Sequence, residues 1–197
     1  MTDSSRLAGE SFFEAIEAAL EGGVDALLLR EKDMPSSRLL ALASRLRDIT
    51  RNHHARLIIH TQADIAEAVD ADGIHLAAKD ITAILQIRRW LGSQAMSISA
   101  SCHNMDELTA AAEQGADWAM LSPVFPTRSH PGAPHLGLEV FEDIAARSPL
   151  PVVALGGITV QNAPGLGNRP IAVIGAILDA DNPSLAARQL SLSPTTI

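Results

Sequence analysis

The sequence predicts a parallel α/β fold, a (β/α)8 TIM-type barrel, from three observations. Short apolar runs alternate with amphipathic segments at roughly 20 to 25 residues per strand-plus-helix unit. The runs are continuously apolar rather than alternating, as strands covered on both faces require. One grammar recurs: Gly23-Val-Asp-Ala-Leu-Leu-Leu29, Ala71-Asp-Gly-Ile-His-Leu76 and Gly115-Ala-Asp-Trp-Ala-Met-Leu121 each set an aspartate just before an apolar run, and Arg169-Pro-Ile-Ala-Val-Ile174 is a further run of this kind. An open doubly wound sheet is the alternative architecture.

Met1 to Glu10 is polar and carries no apolar run. The first helix is expected over Phe12 to Leu20, followed by the strand Gly23 to Leu29. Ser36 to His53 places Leu39, Leu40, Leu42, Ala43, Leu46 and Ile49 near a helical period. Arg56 to Ile59 reads as a strand, Ala63 to Val69 as a helix and Ala71 to Leu76 as a strand. Asp80 is placed to cap a helix over Ile81 to Leu91. After the strand Ser97 to Ala100, Asn104 is placed to cap Met105 to Gln114, and Gly115 to stop it. The strand Gly115 to Leu121, the helix Gly137 to Arg147, the strands Pro151 to Leu155 and Arg169 to Ile174, and the helix Pro183 to Leu190 complete the set.

That gives one strand fewer than a closed barrel contains. The shortfall lies before Phe12, so the first strand is expected to be abbreviated or missing. A gap there would bare the sides of two neighbouring strands, which a second subunit in a homo-oligomer could cover. No linker divides residues 1–197, which read as one domain. The Pro/Gly/Ser-rich stretch Ser122 to Leu136 reads as a long strand-to-helix loop, of the kind that usually carries function.

Composition narrows the function classes. Of 197 residues, 47% are apolar, enough for a sizeable core. A net charge of -8, with no basic run, argues against nucleic-acid and anionic-membrane partners. The single cysteine, Cys102, excludes an internal disulfide and a cysteine zinc site. A reduced, cytoplasmic setting is expected, since the start is polar and no apolar run reaches membrane-spanning length.

In a barrel of this type chemistry collects at the C-terminal ends of the strands, and phosphate often sits after the last two. Gly156-Gly157-Ile158-Thr159 and Gly175-Ala176 hold those places, where glycine lets backbone N–H groups approach an anion. Two tight turns without a ligand are the rival explanation. Arg30-Glu31-Lys32 ends a strand with two cations that could grip a phosphate or diphosphate, or could form a solvated loop. Asp80 could ligate Mg²⁺, although a helix cap is the simpler role. His60, His75, His103 and His130 lie at or near strand ends, without zinc spacing. Among them His75 reads as a satisfied core histidine, and Cys102 as an ordinary buried thiol.

Six motifs in order resemble the thiamine-phosphate synthase/TenI family. They are Leu29-Arg-Glu-Lys32, Ala71-Asp-Gly-Ile-His-Leu76 with Asp80, Ser101-Cys-His103, Ser122-Pro-Val-Phe-Pro-Thr127, Pro134-His-Leu-Gly137 and Ala154-Leu-Gly-Gly-Ile158. The resemblance implies a (β/α)8 barrel that joins a pyrimidine methyl diphosphate to a thiazole phosphate and releases diphosphate, with Mg²⁺ as cofactor. On that pattern Arg30 and Lys32 hold diphosphate, Asp80 ligates Mg²⁺, and Ser101 contacts the diphosphate or the surroundings of the metal. Thr127 lies by the thiazole, and Gly156 and Gly157 bind its phosphate.

The chain also departs from the pattern. Leu28 stands where the synthase carries a glutamine that touches the pyrimidine, and His60-Thr61 where it carries Asn-Asp, a source of a Mg²⁺ carboxylate. His130 replaces the lysine of the Pro126-Thr-Arg-Ser-His130 loop, and Gly175 a serine near the last phosphate loop. These changes weigh against efficient synthase activity and spare thiazole-phosphate binding. The alternatives are a TenI-like thiazole tautomerase, with His130 or His60 as acid/base because the usual histidine aligns with Pro123, and a non-catalytic regulator that binds thiazole or thiamine phosphate. An unrelated phosphate-binding barrel would explain the glycine loops alone.

Overall fold

The computed structural model describes residues 1–7, 9–31, 33–92, 95–127, 132 and 134–191. Among them the strands are β1 (Ala26–Leu29), β2 (Arg56–His60), β3 (Gly73–Leu76), β4 (Ser97–Cys102), β5 (Trp118–Leu121), β6 (Val152–Leu155) and β7 (Ile171–Ala172). They follow sequence order in one sheet. The helices are α1 (Glu10–Glu21), α2 (Ser36–Asn52), α3 (Ala63–Ala68), α4 (Ile84–Leu91), α5 (Met105–Glu113), α6 (Leu138–Arg147), α7 (Gly175–Leu178) and α8 (Pro183–Ser191). Every expected strand is present; β1, β3, β5, β6 and β7 are shorter than expected, whereas β2 and β4 run on to His60 and Cys102. Burial runs unbroken through β3 and through the last three residues of β1 and β5, which is what a sheet covered on both faces requires.

Two compact units are distinguished. Among the described residues, one comprises residues 1–74 and 174–191, the other residues 75–173. In the first, β1 and β2 pair in parallel, Leu27 opposite Leu57 and Leu29 opposite Ile59. Phe12, Ala15, Ile16, Ala19 and Leu20 form the buried stripe of α1, at the spacing of one helical face. Its end meets α8 at Gly22, where a Cβ would stand 2.5 Å from Ser184 O and 2.6 Å from Ala187 Cβ, so no larger residue fits. In the second unit β4, β5, β6 and β7 pair in parallel, with Ser101 opposite Met120 and Leu121 opposite Ala154.

The segment ahead of α1 is fastened to β1 through Thr2. Thr2 is 1% exposed; its N–H donates to Leu28 O at 2.8 Å and its Oγ1 accepts from Arg30 N–H at 2.9 Å. No strand is formed before α1 among the described residues, but Thr2 docks beside β1. Arg6 fastens the segment that follows, donating to Asp3 and to both carboxylate oxygens of Asp179.

The recurring aspartates act at the opposite ends of the strands from the motif residues. Asp72 Oδ2 accepts from Leu57 N–H at 2.7 Å and from Arg47 at 2.5 Å. Asp117 Oδ2 repeats this with Ile98 N–H at 2.7 Å and Arg88 at 2.8 Å. Each carboxylate satisfies a backbone donor of the preceding strand and pairs with an arginine of the preceding α2 or α4. Asp25 precedes β1, ahead of which only the Thr2 segment lies; it is 85% exposed and meets Arg56 at 3.0 Å.

One helix start is corrected. Asp80 lies inside a 3₁₀ turn, Ala78–Ala83, and α4 begins only at Ile84. Neither start carries a side-chain cap, so the chain enters α4 through the tighter turn and leaves the Asp80 carboxylate unused by the helix. Asn104 does cap α5, its Oδ1 accepting from Glu107 N–H at 2.9 Å.

Candidate active site

The chemistry-bearing residues sit at strand C-terminal ends within each unit. In the first, Arg30 follows β1 directly. Its guanidinium is half-buried and makes no hydrogen bond or ion pair among the described residues. Burial holds its pKa below the ordinary arginine value, against the opposing pull of Asp3 and Glu31. A desolvated guanidinium without a carboxylate partner has its donors available to an anion. Its backbone is set by Thr2, and Glu31 accepts from Ser4 N–H and Oγ, the latter at 2.7 Å, which ties the N-terminal segment to this strand end. Leu28, at 3% exposure, belongs to the core.

His60 ends β2, and its Nδ1 lies 2.9 Å from Thr61 Oγ1. Thr61 has φ of 65°, a left-handed conformation that a β-branched residue adopts only under strain. Gly175 opens the short α7. A Cβ there would lie 2.7 Å from Asp179 Oδ2 and 3.2 Å from Arg6 Nη1, so a side chain at this position would have to displace the ends of the Arg6–Asp179 pair.

In the second unit the Asp80 carboxylate is half-buried and makes no hydrogen bond or ion pair among the described residues. Ser101, on β4, is bonded through its Oγ to His75 Nε2 at 2.9 Å. After β5 the segment from Ser122 runs through a cis peptide bond at Pro123 and lies along the end of β6. Val124 N–H donates to Leu155 O at 2.9 Å and Phe125 N–H to Gly156 O at 3.0 Å. That contact explains the glycine pair: a Cβ on Gly156 would meet Pro123 Cβ at 2.6 Å, and one on Gly157 would meet Pro126 O at 2.3 Å. Both glycines hold positive φ, 103° and 66°. Their half-buried N–H groups have no acceptor among the described residues. Asn162 closes the turn, donating to Gly157 O and accepting from Thr159 N–H. The loop is a tight turn packed against residues 123–126, and Thr127 lies half-buried at the end of that segment.

Lys32 and His130 lie outside the described residues. His103 serves the start of α5: its N–H and Nδ1 both meet Glu107 Oε2, at 2.7 and 2.9 Å. Cys102 is buried, and burial, with Glu107 adding to it, pushes its thiol up to about 12, which removes it as a nucleophile at neutral pH. Sequence reasoning missed Thr2, Glu31, Ser99, Trp118 and Asn162, which all act by supporting other groups. The only local signal was Asn162, a turn-forming residue just after the glycine pair.

A Mg²⁺ site can be tested against the donors present. Among the described residues no group of three or more His, Cys, Asp or Glu could hold a metal ion. One unpaired carboxylate, Asp80, fits an ion that keeps its waters and arrives with substrate phosphates, as Mg²⁺ does. No described helix is long and apolar enough to cross a membrane.

Comparison with known proteins gives the arrangement a family. Residues 1–177 match the thiamine monophosphate synthase family, TMP-TENI. A thiamine-phosphate synthase of Chloroflexus aurantiacus is 37% identical over 96% of this chain and 88% of its own length. One of Roseiflexus castenholzii is 38% identical over 94% of this chain and 82% of its own. Among solved structures, thiamine phosphate pyrophosphorylase from Pyrococcus furiosus superimposes with a TM-score of 0.84 at 33% identity, covering 96% of this chain and 91% of that one. A 3-hexulose-6-phosphate synthase, at 18% identity and a TM-score of 0.69 over 90% of this chain and 93% of its own, shares the fold alone. The TIM-type strand-and-helix order, the six motifs and these relatives agree, and the chain belongs to the thiamine monophosphate synthase family.

Proposed function

We propose that this chain joins a pyrimidine methyl diphosphate to a thiazole phosphate and releases diphosphate, the reaction for which its relatives are named. The observation that carries the reading is Arg30, a half-buried guanidinium at the end of β1 with no carboxylate partner among the described residues. A protein that only bound a monophosphate at the glycine loop would have no use for a desolvated cation besides it.

In this reading Arg30, with Lys32, binds the diphosphate. The C–O bond at the pyrimidine methylene breaks, its electron pair leaves with the diphosphate, and the thiazole nitrogen lone pair forms the new C–N bond. Gly156 and Gly157 hold the thiazole phosphate by their N–H groups, and Thr127 flanks the ring. Ser101 donates to the departing diphosphate. Asp80 would hold Mg²⁺, which supplies positive charge to the leaving oxygens when bound. The protein's own work is to align the two substrates and to stabilise the leaving charge with preset donors.

Two observations favour a second reading, isomerisation of a thiazole phosphate. Leu28 is core rather than a pyrimidine contact, and the strained His60–Thr61 pair stands in place of a metal carboxylate. His60 or His130 would then move the proton.

Calorimetric titration distinguishes the two. The synthase reading predicts that wild type binds both the pyrimidine diphosphate and the thiazole phosphate. Arg30→Ala should weaken the diphosphate by roughly ten- to a hundredfold, the worth of a hydrogen bond to a charged group. Thiazole-phosphate binding should be unchanged in that variant. Wild type that binds the thiazole phosphate and ignores the diphosphate would favour the isomerase.

A further inference from the structure

His75 lies in β3 at 1% exposure, and both its ring nitrogens face serines of β4. Nδ1 is 2.8 Å from Ser99 Oγ and Nε2 is 2.9 Å from Ser101 Oγ. The ring stacks on Trp118 of β5, centroids 5.7 Å apart and planes 26° from parallel. Ser99 and Ser101 share one face of their strand, being two residues apart. Ser99 is fully buried, whereas Ser101 sits nearer the strand end and is half-exposed. A neutral imidazole has one donor and one acceptor nitrogen, so the polarity of one hydrogen bond fixes that of the other.

We propose that His75, with its tautomer set by Ser99, is a positioning residue that makes the Ser101 hydroxyl a hydrogen-bond donor to an anionic ligand. Ser99 O–H donates to Nδ1, Nε2–H donates to Ser101 Oγ, and the Ser101 hydrogen remains for the anion. The opposite tautomer would draw that hydrogen into the ring and turn only lone pairs toward the anion, which repels it. Trp118 holds the plane of the ring. No proton is transferred; the relay sets direction. The proposal rests on the preceding reading only in naming diphosphate as the anion at Ser101.

Two measurements test it, and they fail separately. Nitrogen NMR of protein labelled in its imidazoles, with the His75 signals identified by their loss in His75→Gln, should show Nε2 protonated and Nδ1 bare. Ser99→Ala should shift this toward the other tautomer. A protonated Nδ1 in wild type, or a spectrum indifferent to Ser99→Ala, would overturn the relay. In the coupling assay, Ser101→Ala should lower kcat on the order of a hundredfold, and Ser99→Ala about tenfold with KM nearly unchanged. Ser99→Ala added to Ser101→Ala should cost nothing more, because the relay acts only through that hydroxyl. His75→Gln, which keeps an N–H donor, should retain more activity than His75→Ala. Additive losses, or equal loss in both His75 variants, would contradict the positioning role. If wild type forms no thiamine phosphate at all, the functional reading falls and the nitrogen spectra still decide the relay.

Discussion

Thr61 shows what a single residue can disclose. A threonine at φ 65° stores roughly 1–2 kcal/mol against its ordinary conformations, and its hydrogen bond to His60 offsets part of this. Thr61→Asn should raise stability by about 1 kcal/mol, since Asn tolerates this conformation, and a urea midpoint measured beside wild type reads it. A lower midpoint would mean that the His60 bond outweighs the strain. The sequence exposed the substitution of His60-Thr61 for Asn-Asp but not the strain, because φ is set by the turn that closes β2. Arg30 was legible as a cation at a strand end. That it is desolvated and lacks a carboxylate partner among the described residues was not, since those properties depend on Thr2, Asp3 and Glu31 around it. The glycine pair read as either a cradle or a tight turn. Contacts with Pro123 and Pro126, some thirty residues earlier in the chain, account for the turn and for glycine at both positions.

At the scale of elements the repeated aspartates separate stability from function. Asp72 and Asp117 each serve a backbone N–H and an arginine at the strand starts, away from the motif residues. Ile98 is fully buried, so removing its acceptor strands a backbone donor at a cost of about 1–3 kcal/mol. Asp117→Ala should therefore lower the urea midpoint by that amount while leaving ligand affinity intact. Asp25→Ala should leave the midpoint almost unmoved, as its partner is a single exposed arginine. Equal effects of the two would refute the staple. The repeat itself was visible in the sequence; its purpose was not, because the donor it satisfies belongs to the preceding strand. Asp80 was misread for the converse reason. An acidic residue before an amphipathic run fits a helix cap, yet the chain inserts a 3₁₀ turn, and the carboxylate is left for another use.

At the scale of the whole molecule the sequence was most informative. Buried strands and one-sided helices each declare themselves by local periodicity, so the order of elements followed from pattern alone. Boundaries shifted where the apolar run extended past the paired residues, as at β7, which keeps only Ile171–Ala172 of the expected strand. The boundary between the two compact units falls inside β3, between Ile74 and His75, and we propose that they unfold as one domain. Both tryptophans, Trp90 and Trp118, lie in the unit His75–Val173, so fluorescence reports that unit while far-ultraviolet circular dichroism reports all helices. The two urea transitions should coincide. Separated midpoints would show two independently stable parts.

The most direct test of the account is the rate at which wild type forms thiamine phosphate from the pyrimidine diphosphate and the thiazole phosphate with Mg²⁺, alongside Arg30→Ala. The account predicts product in wild type, abolished by chelation of the metal, with kcat/KM for the diphosphate lowered at least tenfold in the variant. Substrates left unjoined by wild type, or a rate indifferent to Arg30, would contradict it.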